Sequence, residues 1–233
     1  HRSQDVYPRL RETMIARHLV EPQSDGGGSA YEGNIERVRT AIMAMTGYFH
    51  TESSHHASEY VPYFRKNKAL IEAYIPHRWD YYEICAAHDE AGHVDQFLAG
   101  TAGELHPSLE YGAFIVDSME TGQSRVIYGN VPNTGLITNL PQGCCVEVPC
   151  LVDSNGVQPT FVGDLPLPCA AVNRTNINVQ ELAVEAGLVG DRQLAHAAVA
   201  LDPLTGALLT LPQIHAMVDE LFAAQAQWLP QLR

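Results

Sequence analysis

The side chains best suited to chemistry lie in one short stretch, residues 47–64, with the sequence GYFHTESSHHASEYVPYF. It contains three histidines, two glutamates, three serines and three tyrosines. Ser53 or Ser54 can cap a short helical turn, which would place His56 and Tyr60 four residues apart on one face. A rigid helix that passes into a polar loop is a common position for active-site residues.

Residue types alone leave three interpretations of this stretch open. His50, His55 and His56 could bind a divalent metal because imidazole suits first-row ions, although adjacent histidines point in different directions on a helix. Tyr60 could instead act as a general base, if a nearby cation or metal lowers the pKa of its phenol from about 10. By residue type alone, a packed tyrosine with its hydroxyl hydrogen-bonded is favoured over the base.

Three other groups of side chains are capable of chemistry. His88 and His93 are five residues apart, so the H-E-x-x-H spacing of zinc proteases is absent and a solvated helix face is expected. Residues 173–176, Asn-Arg-Thr-Asn, could hold an anion, although a helix start or a subunit contact is favoured. Three cysteines follow a strand pattern and are expected in the core rather than as redox centres: Cys144, Cys145 and Cys150.

The charge balance excludes several classes of partner. The 233 residues include 14 Lys and Arg against 27 Asp and Glu, a formal net charge of −13. A chain without a basic run lacks the charge pattern that binds nucleic acid or anionic membranes, and no window approaches the roughly 18 apolar residues of a spanning helix. Five irregularly spaced cysteines indicate free thiols in a reducing cytoplasm.

Hydrophobic periodicity predicts helices at both ends of the chain. The first covers residues 6–19, a second begins after the cap Asn34, and a third begins after the cap Ser108, with a weaker helical pattern over 66–103. Towards the end of the chain, Asp191 and Thr210 cap two more helices. The expected core positions are Ile35, Val38, Ile42 and Met45 in the second helix, and Leu109, Ala113 and Val116 in the third.

Between these helices the periodicity changes to two. Residues 124–129 and 144–152 are predicted strands, and Asn155-Gly156 is a hairpin signal before a return strand over 157–162. The second strand should bury Val146, Val148, Cys150 and Val152. Helices, a small antiparallel sheet and further helices together predict an α+β domain without a dinucleotide-binding βαβ unit.

Several ordered motifs resemble the α-galactosidase branch of glycoside hydrolase family 4. The stretch 47–64 matches Gly-Tyr-Phe-x-Thr-Glu-Ser-Ser-x-His-x-x-Glu-Tyr-x-Pro, with His55 at a position where that branch usually has Glu. The resemblance continues through further segments along the chain: 5–8, 129–133, 139–141, 146–150, 173–185 and 201–203. The resemblance implies that residues 1–233 form a single lactate-dehydrogenase C-terminal-like domain, with a small antiparallel sheet flanked by helices. The NAD-binding Rossmann domain is then absent from this chain, which has no initiator Met and is interpreted as a piece of something longer.

The resemblance also implies an uncommon route of glycoside hydrolysis. In the family, NAD⁺ oxidises the sugar at C3, a tyrosine removes the C2 proton, and a divalent metal, typically Mn²⁺, polarises the C2 and C3 oxygens before the glycosidic bond breaks. The matching tyrosine is Tyr60, because the family accepts other aromatic residues at the position of Tyr63. His56, Glu52 and Ser54 are implied to contact the sugar, whereas the NAD and metal ligands lie upstream of His1.

The implied protein is a cytoplasmic, NAD- and Mn-dependent glycosidase acting on an α-galactoside-like substrate, assembled as a homodimer or homotetramer, with no nucleic-acid or membrane partner. This chain would be the substrate-covering and oligomerisation domain, inactive by itself. The alternatives are an α-glucosidase or an α-glucuronidase/galacturonidase of the same family, and a non-catalytic oligomerisation module.

Overall fold

The computed structural model describes residues 4–20, 36–75, 93–100, 103 and 110–229. Several residues named above lie outside these ranges, namely Asn34, Ile35, His88, Ser108 and Leu109, as does Cys85, one of the five cysteines. The described elements are, in chain order, α1 (Tyr7–Ile15) with a π-helical continuation (Ala16–Val20), α2 (Arg37–Thr46), α3 (Ser54–Ala57), α4 (Lys68–Tyr74), α5 (His93–Leu98), α6 (Gly112–Thr121), β1 (Arg125–Pro132), β2 (Cys145–Asp153), β3 (Gly156–Pro159), α7 (Leu167–Val189), α8 (Arg192–Leu201), α9 (Pro203–Leu208) and α10 (Leu211–Ala224). This order confirms the predicted α+β class.

The chain divides into two compact units. The helical unit comprises residues 1–77 and 165–233, and the sheet unit comprises residues 78–164. In the part of the chain that the structure describes, no helix combines the length and the apolar character needed to cross a membrane.

The core of the helical unit forms where α2 meets the stretch that follows it. Its buried members are Val38, Ile42, Ala57, Val61, Phe64 and Ile75, with Val172 of α7 packed against them. Met45 was expected on the same face, but it is 52% exposed. In the last turn of α2 the fully buried side chain is Met43, so the buried face of the helix includes Ile42 and Met43 and leaves Met45 outside it.

Side-chain caps define the three helices that follow α7. The Asp191 carboxylate accepts hydrogen bonds from the amides of Gln193 and Leu194, and Gln213 Oε1 accepts from the amide of Thr210, so both predicted caps are confirmed. The Asp202-Pro203 pair ends α8. The same pair starts α9, a helix that the periodicity did not predict. Asp202 caps it by accepting from the amide of Thr205, and Pro203 suits the first helical turn.

The sheet unit contains an antiparallel sheet with the order β1-β2-β3. The register pairs Arg125 with Val152 and Pro132 with Cys145. On β2 the predicted alternation is confirmed, since the following four side chains are all buried: Val146, Val148, Cys150 and Val152. The return strand is shorter than expected, because β3 ends at Pro159, a residue that has no amide hydrogen for the ladder.

The predicted hairpin between β2 and β3 is present, but its turn is one residue earlier than the Asn-Gly pair suggested. Asp153 pairs with Gly156, so Ser154 and Asn155 form the turn. Asp153 Oδ1 accepts from the Asn155 amide at 2.8 Å, which closes an Asx-type turn. Gly156 takes the positive φ of +94° that the chain needs to re-enter the sheet.

Helix α6 packs on β2 through a face that the periodicity did not predict. Val116 was expected in the core, but it is 62% exposed, whereas Ser118 is fully buried. Arg125 of β1 forms an ion pair with Asp117 at 2.6 Å and donates to Ser118 Oγ at 2.9 Å. These polar contacts turn the helix so that Ser118, not Val116, lies against the sheet.

The four described cysteines are all free. Cys144 and Cys150 are buried, as their strand pattern predicts, and Cys169 is half-buried. Cys145 is exposed because it alternates with the buried face of β2, so its expected core position is wrong.

A fully buried asparagine holds the loop between β1 and β2. Asn133 Nδ2 donates to the carbonyls of Ile137, Leu140 and Pro141 at 3.0, 3.3 and 3.0 Å. Its Oδ1 accepts from the amide of Ile137 at 3.0 Å. One side chain therefore satisfies several backbone groups that would otherwise be buried without partners.

We expect Asn133→Ala to lower the free energy of unfolding by at least about 1–3 kcal/mol, because it leaves these buried carbonyl and amide groups unpaired. Urea unfolding followed by circular dichroism measures this. Asn130→Ala, at an exposed position of β1, is the matched control and should change stability by less than about 0.5 kcal/mol. Equal effects of the two substitutions would contradict the assigned role of Asn133.

Candidate functional site

The stretch 47–64 leaves α2 through a sharp change of direction and forms the short helix α3. Gly47 adopts φ +86° at the end of α2, a conformation that disfavours residues with a Cβ. Ser53 Oγ accepts from the amide of His56 at 3.3 Å, which confirms the predicted cap. The helix ends at Ala57, where the amide of Glu59 bonds to the carbonyl of His56. Tyr60 lies beyond the helix, so the expectation that His56 and Tyr60 share a helical face is wrong.

Tyr60 is held at the surface by its buried neighbours. Ala57, Val61 and Phe64 are 1%, 4% and 7% exposed in the core cluster, whereas Tyr60 is 43% exposed. Asn176 of α7 donates from Nδ2 to the Tyr60 carbonyl at 3.2 Å. The backbone of Tyr60 is thus fixed by the core and by a neighbouring helix, while its ring remains accessible.

The Asn-Arg-Thr-Asn segment has a different position from the one that the sequence suggested. Residues 173–176 lie inside α7, which begins at Leu167, so the expected helix start is wrong. Asn176 also donates to the Val172 carbonyl one turn earlier, at 3.5 Å. The segment therefore positions the Tyr60 loop, a role that residue type alone could not indicate.

A network of charged side chains surrounds Glu59, the residue before Tyr60. Glu59 lies 3.3 Å from Arg65 Nη2, 3.2 Å from His56 Nδ1 and 3.8 Å from His55 Nε2. The Arg65 side chain is only 11% exposed and also donates to Ser58 Oγ at 2.8 Å. Burial lowers the pKa of Arg65, and the charge of Glu59 opposes this effect. The network fixes a carboxylate beside the phenol.

The surroundings of Tyr60 favour its neutral form. Burial, followed by the charges of Glu52 and Glu59, raises the pKa of the Tyr60 phenol above 10.0. Each of these influences disfavours the phenolate, because a negative oxygen near carboxylates is repelled. A base at this position would need a positive charge close to the hydroxyl. The nearby cation or metal that would lower the pKa of Tyr60 therefore remains a prediction from the sequence.

The other predicted substrate contacts differ in accessibility. Glu52 is exposed and accepts from the Ser53 amide at 2.7 Å, and the His56 side chain is 41% exposed. Ser54 is 1% exposed, and its hydroxyl accepts from the amide of Arg39 in α2 at 3.3 Å. Glu52, His56 and Tyr60 therefore offer side chains to a ligand, while Ser54 joins α3 to α2.

The three histidines of this stretch do not form a joint metal site. Among the described residues, the group of three ligating side chains that could hold an ion contains none of them. His50 Nε2 is buried with no hydrogen-bond partner in the described part of the chain, and burial, its largest influence, lowers its pKa. His55 and His56 meet edge to face, with ring centroids 5.5 Å apart. This donor set does not fit Mn²⁺.

The described residues also do not fit a nicotinamide dinucleotide. The pyrophosphate of such a cofactor is bound where a parallel strand passes through a glycine-rich turn into a helix. The strands described here are antiparallel and joined without a helical crossover.

Two residues that position the site were missed by reasoning from the sequence. The Tyr7 hydroxyl accepts from the amide of Phe49, which ties the start of the stretch to α1. Asn176 ties Tyr60 to α7 by donating to the Tyr60 carbonyl. Both contacts span long sequence separations, so local periodicity contains no signal for them. Tyr7 and Asn176 do belong to the segments 5–8 and 173–185 that match the family, and this match was the sequence signal that could have indicated them.

Comparisons with known proteins agree over most of the chain. A family model described as the family 4 glycosyl hydrolase C-terminal domain matches residues 1–205. An alpha-galactosidase of Bacillus subtilis (strain 168) is 40% identical over 234 residues, covering 98% of this chain and 51% of the relative. An alpha-galactosidase of Rhizobium meliloti (strain 1021) is 34% identical over 215 residues, covering 84% of this chain and 42% of the relative. The chain therefore spans about half the length of these curated relatives.

Solved structures support the same fold. The Bacillus subtilis protein lplD superposes with a TM-score of 0.77 at 21% identity, over 94% of this chain and 50% of that one. A 6-phospho-alpha-glucosidase from gut microorganisms, solved in complex with NAD and Mn²⁺, has a TM-score of 0.68 at 16% identity, over 99% of this chain and 52% of that one. With the family model and the two alpha-galactosidases, these matches confirm the predicted resemblance, and the chain belongs to the family 4 glycosyl hydrolases, within their C-terminal domain.

Proposed function

We propose that this chain is the substrate-covering half of an α-galactoside-type O-glycosidase that requires NAD and Mn²⁺ and works as a homodimer or homotetramer in the cytoplasm. The substrate class rests on the two relatives named alpha-galactosidases. The cofactors rest on the solved 6-phospho-alpha-glucosidase that holds both of them. Because the described residues fit neither cofactor, we assign their binding to the part of the enzyme that lies outside the matched half.

Tyr60 is the residue of this chain that we assign to the chemical step. The observation that supports this role is a phenol that is 43% exposed while its backbone is fixed by Asn176 and by the buried Ala57 and Val61. A base must be held firmly and still reach its substrate. In this proposal the phenolate oxygen accepts the proton from C2 of the bound sugar.

The nearby carboxylates set a condition on this step. Burial, together with the charges of Glu52 and Glu59, raises the pKa of Tyr60, so the phenol loses its proton readily only when a positive charge approaches it from outside the described residues. His56 and Glu52 are proposed to bind sugar hydroxyls, since imidazole and carboxylate groups donate to and accept from them. Ser54 is proposed to act through the position of α3, because its own hydroxyl is buried.

We expect Tyr60→Phe in the complete enzyme to lower kcat by at least about 100-fold and to abolish exchange of the sugar C2 proton with solvent, because the proton acceptor is removed. Steady-state kinetics and deuterium exchange measured by NMR test this. Tyr63→Phe is the matched control, since Tyr63 is 46% exposed in the same stretch, and it should change kcat only a few-fold. Unchanged turnover and normal exchange in Tyr60→Phe would refute the assignment.

The hydrogen bond from α7 leads to a second prediction. Asn176→Ala should lower kcat about 10- to 100-fold with a smaller change in KM, because Tyr60 loses its alignment while the sugar contacts remain. Asn173→Ala on the same helix is the control, since Asn173 is exposed and donates to the carbonyl of Cys169 in its own helix. Equal kinetics of the two variants would show that α7 does not position Tyr60.

The charges around the phenol lead to a third prediction. An NMR titration of the isolated chain with ¹³C-labelled tyrosine should show Tyr60 ionising above pH 10.0. Glu59→Gln should shift this ionisation to lower pH, because it removes a negative charge that disfavours the phenolate. Glu72→Gln, at an exposed carboxylate of α4, should leave the ionisation unchanged. A shift to higher pH in Glu59→Gln would be inconsistent with the assigned electrostatics.

A further inference from the structure

A second group of ionisable side chains lies in the helical unit, between α8 and α10. These helices pack against each other and border an open pocket with a volume of about 580 Å³. His196 of α8, and His215 and Asp219 of α10, line this pocket. His215 and Asp219 are four residues apart, so both side chains project from one face of α10.

The donor atoms of these three side chains converge. One ligating atom from each lies within 4.8 Å of the others. His196 Nε2 is 3.1 Å from Asp219 Oδ1, and His215 Nδ1 is 3.1 Å from Asp219 Oδ2. Ligands bound to one tetrahedral ion at about 2.0–2.2 Å lie roughly 3.3–3.6 Å from one another, so both imidazole–carboxylate separations are slightly shorter than this value.

The two imidazole rings must rotate relative to each other before they can share an ion. They are stacked with centroids 4.0 Å apart and planes inclined by 17°, so their lone pairs do not yet meet at one point. The His215 side chain is 65% exposed, which leaves room for its ring to turn, whereas the His196 side chain is 13% exposed and held between the helices. One fixed and one adjustable imidazole can therefore close around an ion beside the carboxylate.

The carboxylate of this group is also held by an arginine. Arg192 Nη2 contacts Asp219 Oδ1 at 2.8 Å, and its guanidinium lies over the Phe222 ring at 4.6 Å. Arg192 thus orients the carboxylate through one oxygen and leaves the other directed at His215.

We propose that His196, His215 and Asp219 form a binding site for a divalent transition-metal ion that links α8 to α10. Two imidazoles and one carboxylate suit Zn²⁺, Co²⁺, Ni²⁺ or Cu²⁺ better than Mg²⁺ or Ca²⁺, which prefer oxygen ligands. Three protein ligands leave a further coordination position open towards the pocket. The proposal depends only on residues of this chain and is independent of the glycosidase activity.

Titration calorimetry of the full 233-residue chain with Zn²⁺ in a non-chelating buffer tests the site. We expect one ion to bind per chain. Its affinity should fall more than tenfold in His215→Ala and in Asp219→Asn, since mutating even the outer partners of metal ligands changes affinity by about 10- to 100-fold. Glu220→Gln is the control for charge, because Glu220 is exposed and adjacent to Asp219 on α10. It should bind Zn²⁺ like the unchanged protein.

A measurement on the unchanged protein keeps the proposal testable if a variant fails to fold. In histidine-selective NMR, Zn²⁺ should shift the ring signals of His196 and His215 and leave those of His50, His55 and His56 in place. Absence of binding, equal affinity in Glu220→Gln and His215→Ala, or shifts confined to the other histidines would each overturn the proposal.

Discussion

Burial of the residues on either side of Tyr60 is the constraint on which the candidate site depends. Ala57, Val61 and Phe64 enter the same core as Val38 and Ile42 of α2. Complete burial of a valine or phenylalanine side chain is worth about 1.5–3 kcal/mol, which is enough to fix the path of a loop that has little regular structure of its own. Because the neighbours point inward, Tyr60 is left at the surface, where a ligand can reach it.

The polar contacts around this core set orientation and charge. Asn176 binds the Tyr60 carbonyl from α7, and the Tyr7 hydroxyl binds the amide of Phe49 from α1. The loop is thus attached to helices from both ends of the chain. Burial, followed by the charges of Glu52 and Glu59, then raises the pKa of the phenol. The proposed proton transfer at this tyrosine therefore requires an added positive charge, which the proposal assigns to the part of the enzyme outside a chain that covers about half of its curated relatives.

Predictions based on local pattern succeeded where a single element determines its own environment. The four buried side chains of β2 alternate as expected, and the caps at Ser53, Asp191 and Thr210 are present, because strand alternation and capping depend on residues close in sequence. They failed at Met45 and Val116, whose exposure depends on which face of each helix the neighbouring elements cover. They also failed at Tyr60, where contacts within the loop end α3 after only four residues.

The sequence by itself determined the α+β class and the family, because these follow from residue types, their order and ordered motifs along the chain, while the role of Tyr60 as a base stays a prediction that the resemblance implies. Only the tertiary structure showed that Asn176 supports Tyr60, that the hydroxyl of Ser54 is buried, and that His196, His215 and Asp219 lie together. The physical reason is that these relations depend on distances between helices. Such distances are set by side-chain packing between segments that are far apart in the sequence.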